Sequence, residues 1–159
     1  MSFSPEQLSQ GLARLSDANS AITQNLQKMS VINVVFTGPE TLHSLTRYLQ
    51  LLSSGLLQPL AEEKGTVTDA NKAAEIVTQV KTFVNLAKQR NNALIGKFGL
   101  MSLFFYHQSA YQSLKGMEAS GDCLFVQLQA YVPSKASELK ALAEEWSQST
   151  GDAIKAYSS

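Results

Sequence analysis

A chain of 159 residues is long enough to bury a sizeable core and short enough to form one unit over residues 1–159. With 44% hydrophobic and only 16% charged residues, it can collapse but carries a lightly charged exterior, against a usual charged share of about 25%. Thirteen basic residues balance thirteen acidic ones, which gives no basic face for nucleic acid and no net attraction to an anionic membrane. Cys123 is the only cysteine, so no internal disulfide forms. With no basic neighbour in sequence, it reads as a small buried hydrophobe. No run approaches the roughly 18 apolar residues that a transmembrane segment needs. The start, Met1-Ser-Phe-Ser-Pro5, lacks a charged region followed by an apolar one, so no signal peptide is expected in the chain as given. No Asn-x-Ser/Thr acceptor occurs.

The helical reading begins at Ser4-Pro5-Glu6-Gln7, a capping box with proline at the first helical position. From there Leu8, Leu12, Leu15, Asn19, Ile22, Leu26 and Met29 recur in steps of four and three, one face of a helix. The β-branched run Val31–Phe36 reads as the end of this helix, with Thr37-Gly38-Pro39 stopping it and Pro39-Glu40 opening the second. The second stripe is Leu42, Leu45, Leu49, Leu52 and Leu56, closed by Pro59 and Glu62–Gly65. Thr68-Asp69 starts the third, with Ile76 or Val77, then Val80, Val84, Ala87, Asn91, Leu94 and Phe98, and Gly99 as a cap or bend. The fourth is expected over Leu100–Tyr131, apolar nearly all round and weakened at Gly116 and Gly121. After Val132-Pro133-Ser134 the last helix carries Leu139, Leu142, Trp146, Ala153, Ile154 and Tyr157. Short connections between long amphipathic helices give an all-α, antiparallel up-down bundle of about five helices.

Motifs for chemistry are absent. There is no phosphate-binding glycine loop, no nucleophile elbow and no cofactor signature, and His43 and His107 lack metal-ligand spacing. Glu144 and Glu145 are adjacent on a helix, so at least one of the pair is solvated. The anomalies are polar residues on apolar stripes: Asn19, Asn91 and His107. A buried amide without a partner costs roughly 1–3 kcal/mol, so each must find one. They either fix helix register or line a cavity and address the polar end of a ligand. Phe104-Phe105-Tyr106 would fan round a helix, so at least one ring faces a cavity, a neighbour or solvent.

The order of features in the second half carries a resemblance. It comprises Thr68-Asp69-Ala70 opening a helix, Val77, Val80 and Val84 following, and a Lys97-Phe98-Gly99-Leu100 junction. Leu114, Leu124 and Leu128 then lead into Val132-Pro133, with a close on Asp152–Tyr157. This pattern resembles the fungal hydrophobic-surface-binding protein A family, which includes the Mp1-like cell-wall galactomannoproteins. It covers residues 66–158, and residues 5–60 by helix order. The resemblance implies a secreted or wall-bound five-helix domain. In the mannoproteins it implies a long apolar cavity that holds fatty acids. It hands over no functional residues. The chain departs from the family in its phenylalanine and tyrosine content, and in lacking a leader and a Ser/Thr-rich tail as given.

Two functions follow as expectations. The first is non-catalytic binding of a fatty acid or similar apolar molecule, walled by Leu49, Leu52, Val84, Leu103, Phe104, His107 and Tyr111, with Asn19, Asn91 or His107 at the polar head. No cofactor or metal is called for. The second is a surface-active or protein-interaction module that self-associates and adsorbs to apolar surfaces without an internal ligand. An enzyme using His107 as acid or base lacks a second catalytic group in the sequence. Localisation is secreted or cell wall by resemblance, cytoplasmic otherwise.

Overall fold

Helix α1 (Pro5–Lys28) starts where its capping box lies: the Gln7 N–H donates to the Ser4 hydroxyl, and the Gln7 side chain accepts from the Ser4 N–H. The structure, a computed structural model, describes residues 2–159. Every member of the Leu8–Met29 stripe is buried, Asn19 included. Helix α2 (Val34–Gln50) continues through a π-helical stretch, Leu51–Leu57, into α3 (Gln58–Glu62). Helix α4 (Ala70–Gly96) is capped by the Asp69 carboxylate, which accepts from the Lys72 N–H at 2.9 Å. Helices α5 (Phe98–Leu103) and α6 (His107–Tyr131) follow, then a 3₁₀ turn at Pro133–Lys135 and α7 (Ala136–Tyr157). No strand occurs among the described residues.

The architecture is an all-α bundle whose rods alternate in direction along the chain: α1, then α2 to α3, then α4, then α5 to α6, then α7. Contacts between rods fix the arrangement. Glu6 meets Lys72 at 3.0 Å and Asn19 meets Arg90, so α1 and α4 lie side by side and parallel. Phe83 stacks on Trp146, and the Tyr157 hydroxyl donates to the Leu94 carbonyl at 2.6 Å, so α4 and α7 are parallel too. Helix α4 is thus flanked by α1 and α7 and buries a wide arc, including Ile76, Val80, Phe83, Val84, Ala87 and Leu94. One hydrophobic core draws on all the rods.

Four boundaries depart from expectation. Residues 31–36 do not end α1. Asn33 closes that helix instead, its amide donating to the Lys28 carbonyl at 2.9 Å and accepting from the Ser30 N–H at 2.7 Å, and α2 begins at once. Pro39 therefore lies inside α2 rather than opening it. The Val35 carbonyl that it leaves free sits on an exposed turn, in reach of water. Gly99 is neither cap nor bend, since the break after α4 falls at Lys97.

The expected fourth helix is interrupted, but not at its glycines. It breaks at Phe104–Tyr106, where Phe105 adopts a left-handed φ of 61°. Helix α6 runs unbroken through Gly116 and Gly121. Both glycines serve close approach. A Cβ at 116 would lie 2.7 Å from the Leu49 side chain, and one at 121 would overlap the Trp146 indole. Cys123, expected to be buried, is exposed.

Candidate functional site

Two of the three polar residues on the apolar stripes, Asn19 and Asn91, converge on a third polar side chain that the stripes left out. Arg90 is fully buried, and its neighbours are Asn19 and Asn91. Its Nη1 donates to Asn19 Oδ1 at 2.7 Å, and its Nε and Nη2 donate to Asn91 Oδ1 at 3.2 and 2.8 Å. The guanidinium carbon lies 4.7 Å from the Tyr48 ring centroid and 5.8 Å from that of Trp146. The remaining amide donors are also used. Asn19 Nδ2 donates to the Tyr48 hydroxyl at 3.3 Å, and Asn91 Nδ2 to Ser149 at 3.1 Å and Thr150 at 3.5 Å. One layer of the bundle thus ties α1, α2, α4 and α7 together through a cation and neutral dipoles.

Local sequence explains the placement. Adjacent residues on a helix point about 100° apart, and α4 has a packed neighbour on each of two sides. Arg90 can therefore face α1 while Asn91 faces α7. Arg90 was legible in principle: Phe83, Ala87, Arg90 and Leu94 recur in steps of four, three and four. The expectation that arginine lies on the surface hid it. Burial pushes Arg90 below its usual value and pushes the Tyr48 phenol above its own, so Tyr48 is the neutral phenol at physiological pH.

The nine candidate residues do not form one site. Asn19 and Asn91 belong to the Arg90 layer, while Leu52 and Val84 are fully buried in the packed interior. Leu49 is half-buried and lies against Gly116. Leu103, Phe104, His107 and Tyr111 cluster at the α5–α6 corner, where Leu103 is 60% exposed. There Phe104 stacks on Tyr106 with centroids 6.1 Å apart, and the His107 ring meets Phe98 edge-on at 5.9 Å. His107 Nδ1 is buried without a hydrogen-bond partner, as is Trp146 Nε1.

Of the clefts described, none is lined by any of the nine. Two reach the Arg90 layer. One, of about 350 Å³, lies between α1 and α2, is walled by Ala18, Ala21, Ile22 and Leu51, and touches Tyr48. The other, of about 410 Å³ between α4 and α7, reaches Ser149 but carries Glu144, Glu145 and Asp152 against one Lys88. Among the described residues no group of His, Cys, Asp or Glu is placed to hold a metal ion, and no helix is long and apolar enough to cross a membrane.

No family model matches the sequence, and no curated protein matches it. Solved structures do match in shape. Ligand-binding domain 1 of the Penicillium marneffei MP1 protein, complexed with arachidonic acids, superposes with a TM-score of 0.84 at 18% identity, covering 95% of this chain and 96% of that one. AfMp4p in complex with palmitic acid gives 0.85 at 10% identity, covering 97% and 99%. Ligand-binding domain 2 of the MP1 protein, complexed with multiple arachidonic acids, gives 0.71 at 13% identity, covering 99% and 97%. At these identities the likeness is one of fold, and from end to end the chain has the helical-bundle fold of these ligand-binding domains.

Proposed function

We propose that this protein binds a fatty acid, or an apolar molecule of similar shape, between its helices and performs no chemistry on it. The observation that carries the reading is the end-to-end likeness to MP1 domain 1 and AfMp4p, whose structures hold arachidonic and palmitic acid. The whole of residues 1–159 is taken as the binding unit. In this reading a ligand that parts the rods would meet Leu49, Leu52 and Val84 along its wall, Leu103, Phe104, His107 and Tyr111 at the α5–α6 corner, and Asn19 and Asn91 toward the polar end. Each buried CH₂ of a ligand contributes about 0.8 kcal/mol, so a long acyl chain carries enough driving force to part helices that pack closely without it. Native mass spectrometry of the purified protein, with displacement of a fluorescent fatty acid, tests the reading. A protein that carries no acyl chain and takes up none sinks it. The likeness to the MP1 domains also supports reading the protein as secreted or wall-bound, which detection in culture medium or the cell wall rather than lysate would test.

A second reading, adsorption to an apolar surface, is favoured by one end of the bundle. Ile32 is 92% exposed, Phe36 78% and Phe105 81%, with Val31, Val35 and Leu103 exposed beside them. The Tyr106 ring lies against Gly38, and Lys97 Nζ donates to the Met29 carbonyl at 2.9 Å, so the α1–α2 and α5–α6 corners share this end. An exposed apolar group of this kind marks a contact surface. Retention on an octyl-agarose support should fall sharply in the double variant Phe36→Ser, Phe105→Ser. Unchanged retention removes the surface reading and leaves the ligand reading untouched.

A further inference from the structure

We infer that Arg90 is a head-group receptor, and that it makes the interior selective for ligands bearing a carboxylate over uncharged ligands of the same length. The inference rests on the fatty-acid reading above and goes beyond it by naming the residue and the charge it recognises.

The case is one of uncompensated charge. A guanidinium does not give up its proton in a protein, so Arg90 is a cation held out of water. Its partners are two amide oxygens, the Tyr48 phenol and the faces of the Tyr48 and Trp146 rings, all neutral. The other buried polar residues are Ser16, Thr23, Thr41 and Thr150 besides the two asparagines, and none is acidic. No carboxylate among the described residues pairs with it. Tyr48, the one nearby group that could become an anion, is held neutral by burial. Neutral dipoles solvate a buried cation without cancelling its charge, so an anion delivered here makes charge-assisted hydrogen bonds in a low dielectric. The guanidinium has more N–H groups than its three bonds to the asparagine oxygens use, and its spare donors are the complement of a carboxylate.

Two clefts reach the layer. The one between α4 and α7 carries Glu144, Glu145 and Asp152 against Lys88 alone, a net negative lining that disfavours an anion. The α1–α2 cleft is walled by Ala18, Ala21, Ile22 and Leu51, carries one charge of each sign in Asp17 and Arg47, and ends on Tyr48, whose ring lies under the Arg90 guanidinium. A carboxylate entering there needs Tyr48 to swing aside to meet Arg90. The bland alternative is that Arg90 only pins the register of α1, α4 and α7.

Affinities of the full-length protein for palmitate, methyl palmitate and hexadecanol, measured by displacement of a fluorescent probe at pH 8, separate the two. The expected result is a preference for palmitate on the order of 10- to 100-fold over both neutral ligands. In Arg90→Met the three ligands should bind alike, whereas Arg90→Lys should keep part of the preference and Arg47→Gln nearly all of it. Equal affinities in the unaltered protein overturn the assignment while leaving the fatty-acid reading intact, and this comparison needs no variant to fold. Loss of the preference in Arg47→Gln moves the head group to the rim and also overturns it. Binding of none of the three ligands sinks both the assignment and the reading beneath it.

Discussion

The layer around Arg90 and the end formed by Ile32, Phe36 and Phe105 reverse the usual distribution in opposite senses. In the layer, polar groups lie inside, and each asparagine oxygen is matched to a guanidinium N–H. At the end, large apolar side chains lie outside and nothing among the described residues covers them. The two reversals have different thermodynamic signatures. Buried polar groups lose water on folding, so their pairing enters the folding equilibrium directly. Side chains exposed in both states contribute little to that equilibrium. Stability measurements therefore read the layer, and adsorption measurements read the end.

Substitutions can break or sharpen this contrast. The largest effect is expected from Trp146→Ala, which removes the ring that stacks on Phe83 with centroids 5.1 Å apart and closes over Gly121. It should lower the unfolding free energy by about 3–5 kcal/mol in a urea titration. Asn91→Ala takes away the acceptor of Arg90 Nε and Nη2 and should cost about 2–3 kcal/mol. A cost near zero would mean that water already reaches the guanidinium, and the layer would no longer stand apart from the surface. Phe105→Gly relieves a side chain held at a φ of 61° and should stabilise the fold by about 0.5–1 kcal/mol. Phe36→Ser should move stability by no more than about 0.5 kcal/mol while weakening retention on octyl-agarose. A large fall in its melting temperature would show that the end is packed in solution, and the comparison would fail there.

Much of this molecule was legible as a pattern. The α1 stripe, the Ser4–Gln7 box, the Asp69 start and the α7 face from Leu139 to Tyr157 all follow from periodicity and capping, which are local. The features that escaped depend on partners distant in the chain. Val31–Phe36 reads as helix by propensity, but Asn33 ends α1 by reaching back to the Lys28 carbonyl. Gly116 and Gly121 look like weak points in a helix until Leu49 and Trp146 are seen lying against them. Of the candidate site, Asn19 and Asn91 were found because an amide on an apolar stripe stands out. Arg90, which joins them, was missed because nothing local says that a cation in phase with Phe83 and Leu94 is inside. Leu103, Phe104, His107 and Tyr111 were drawn by aromatic density to a corner well separated from that layer along the chain.

The parallel pairing of α1 with α4 and of α4 with α7 bears on how the chain reaches this state. Hydrogen bonds between these rods span 71 residues from Asn19 to Arg90 and 63 from Leu94 to Tyr157. Contacts of such separation must overcome a larger loop-closure entropy than hairpin contacts, and folding slows as their share grows. During synthesis, the stripe from Leu8 to Met29 has no α4 to cover it until residue 90 and beyond has left the ribosome. An amphipathic helix whose apolar face is made first and covered late is the part of this protein that would most need a chaperone.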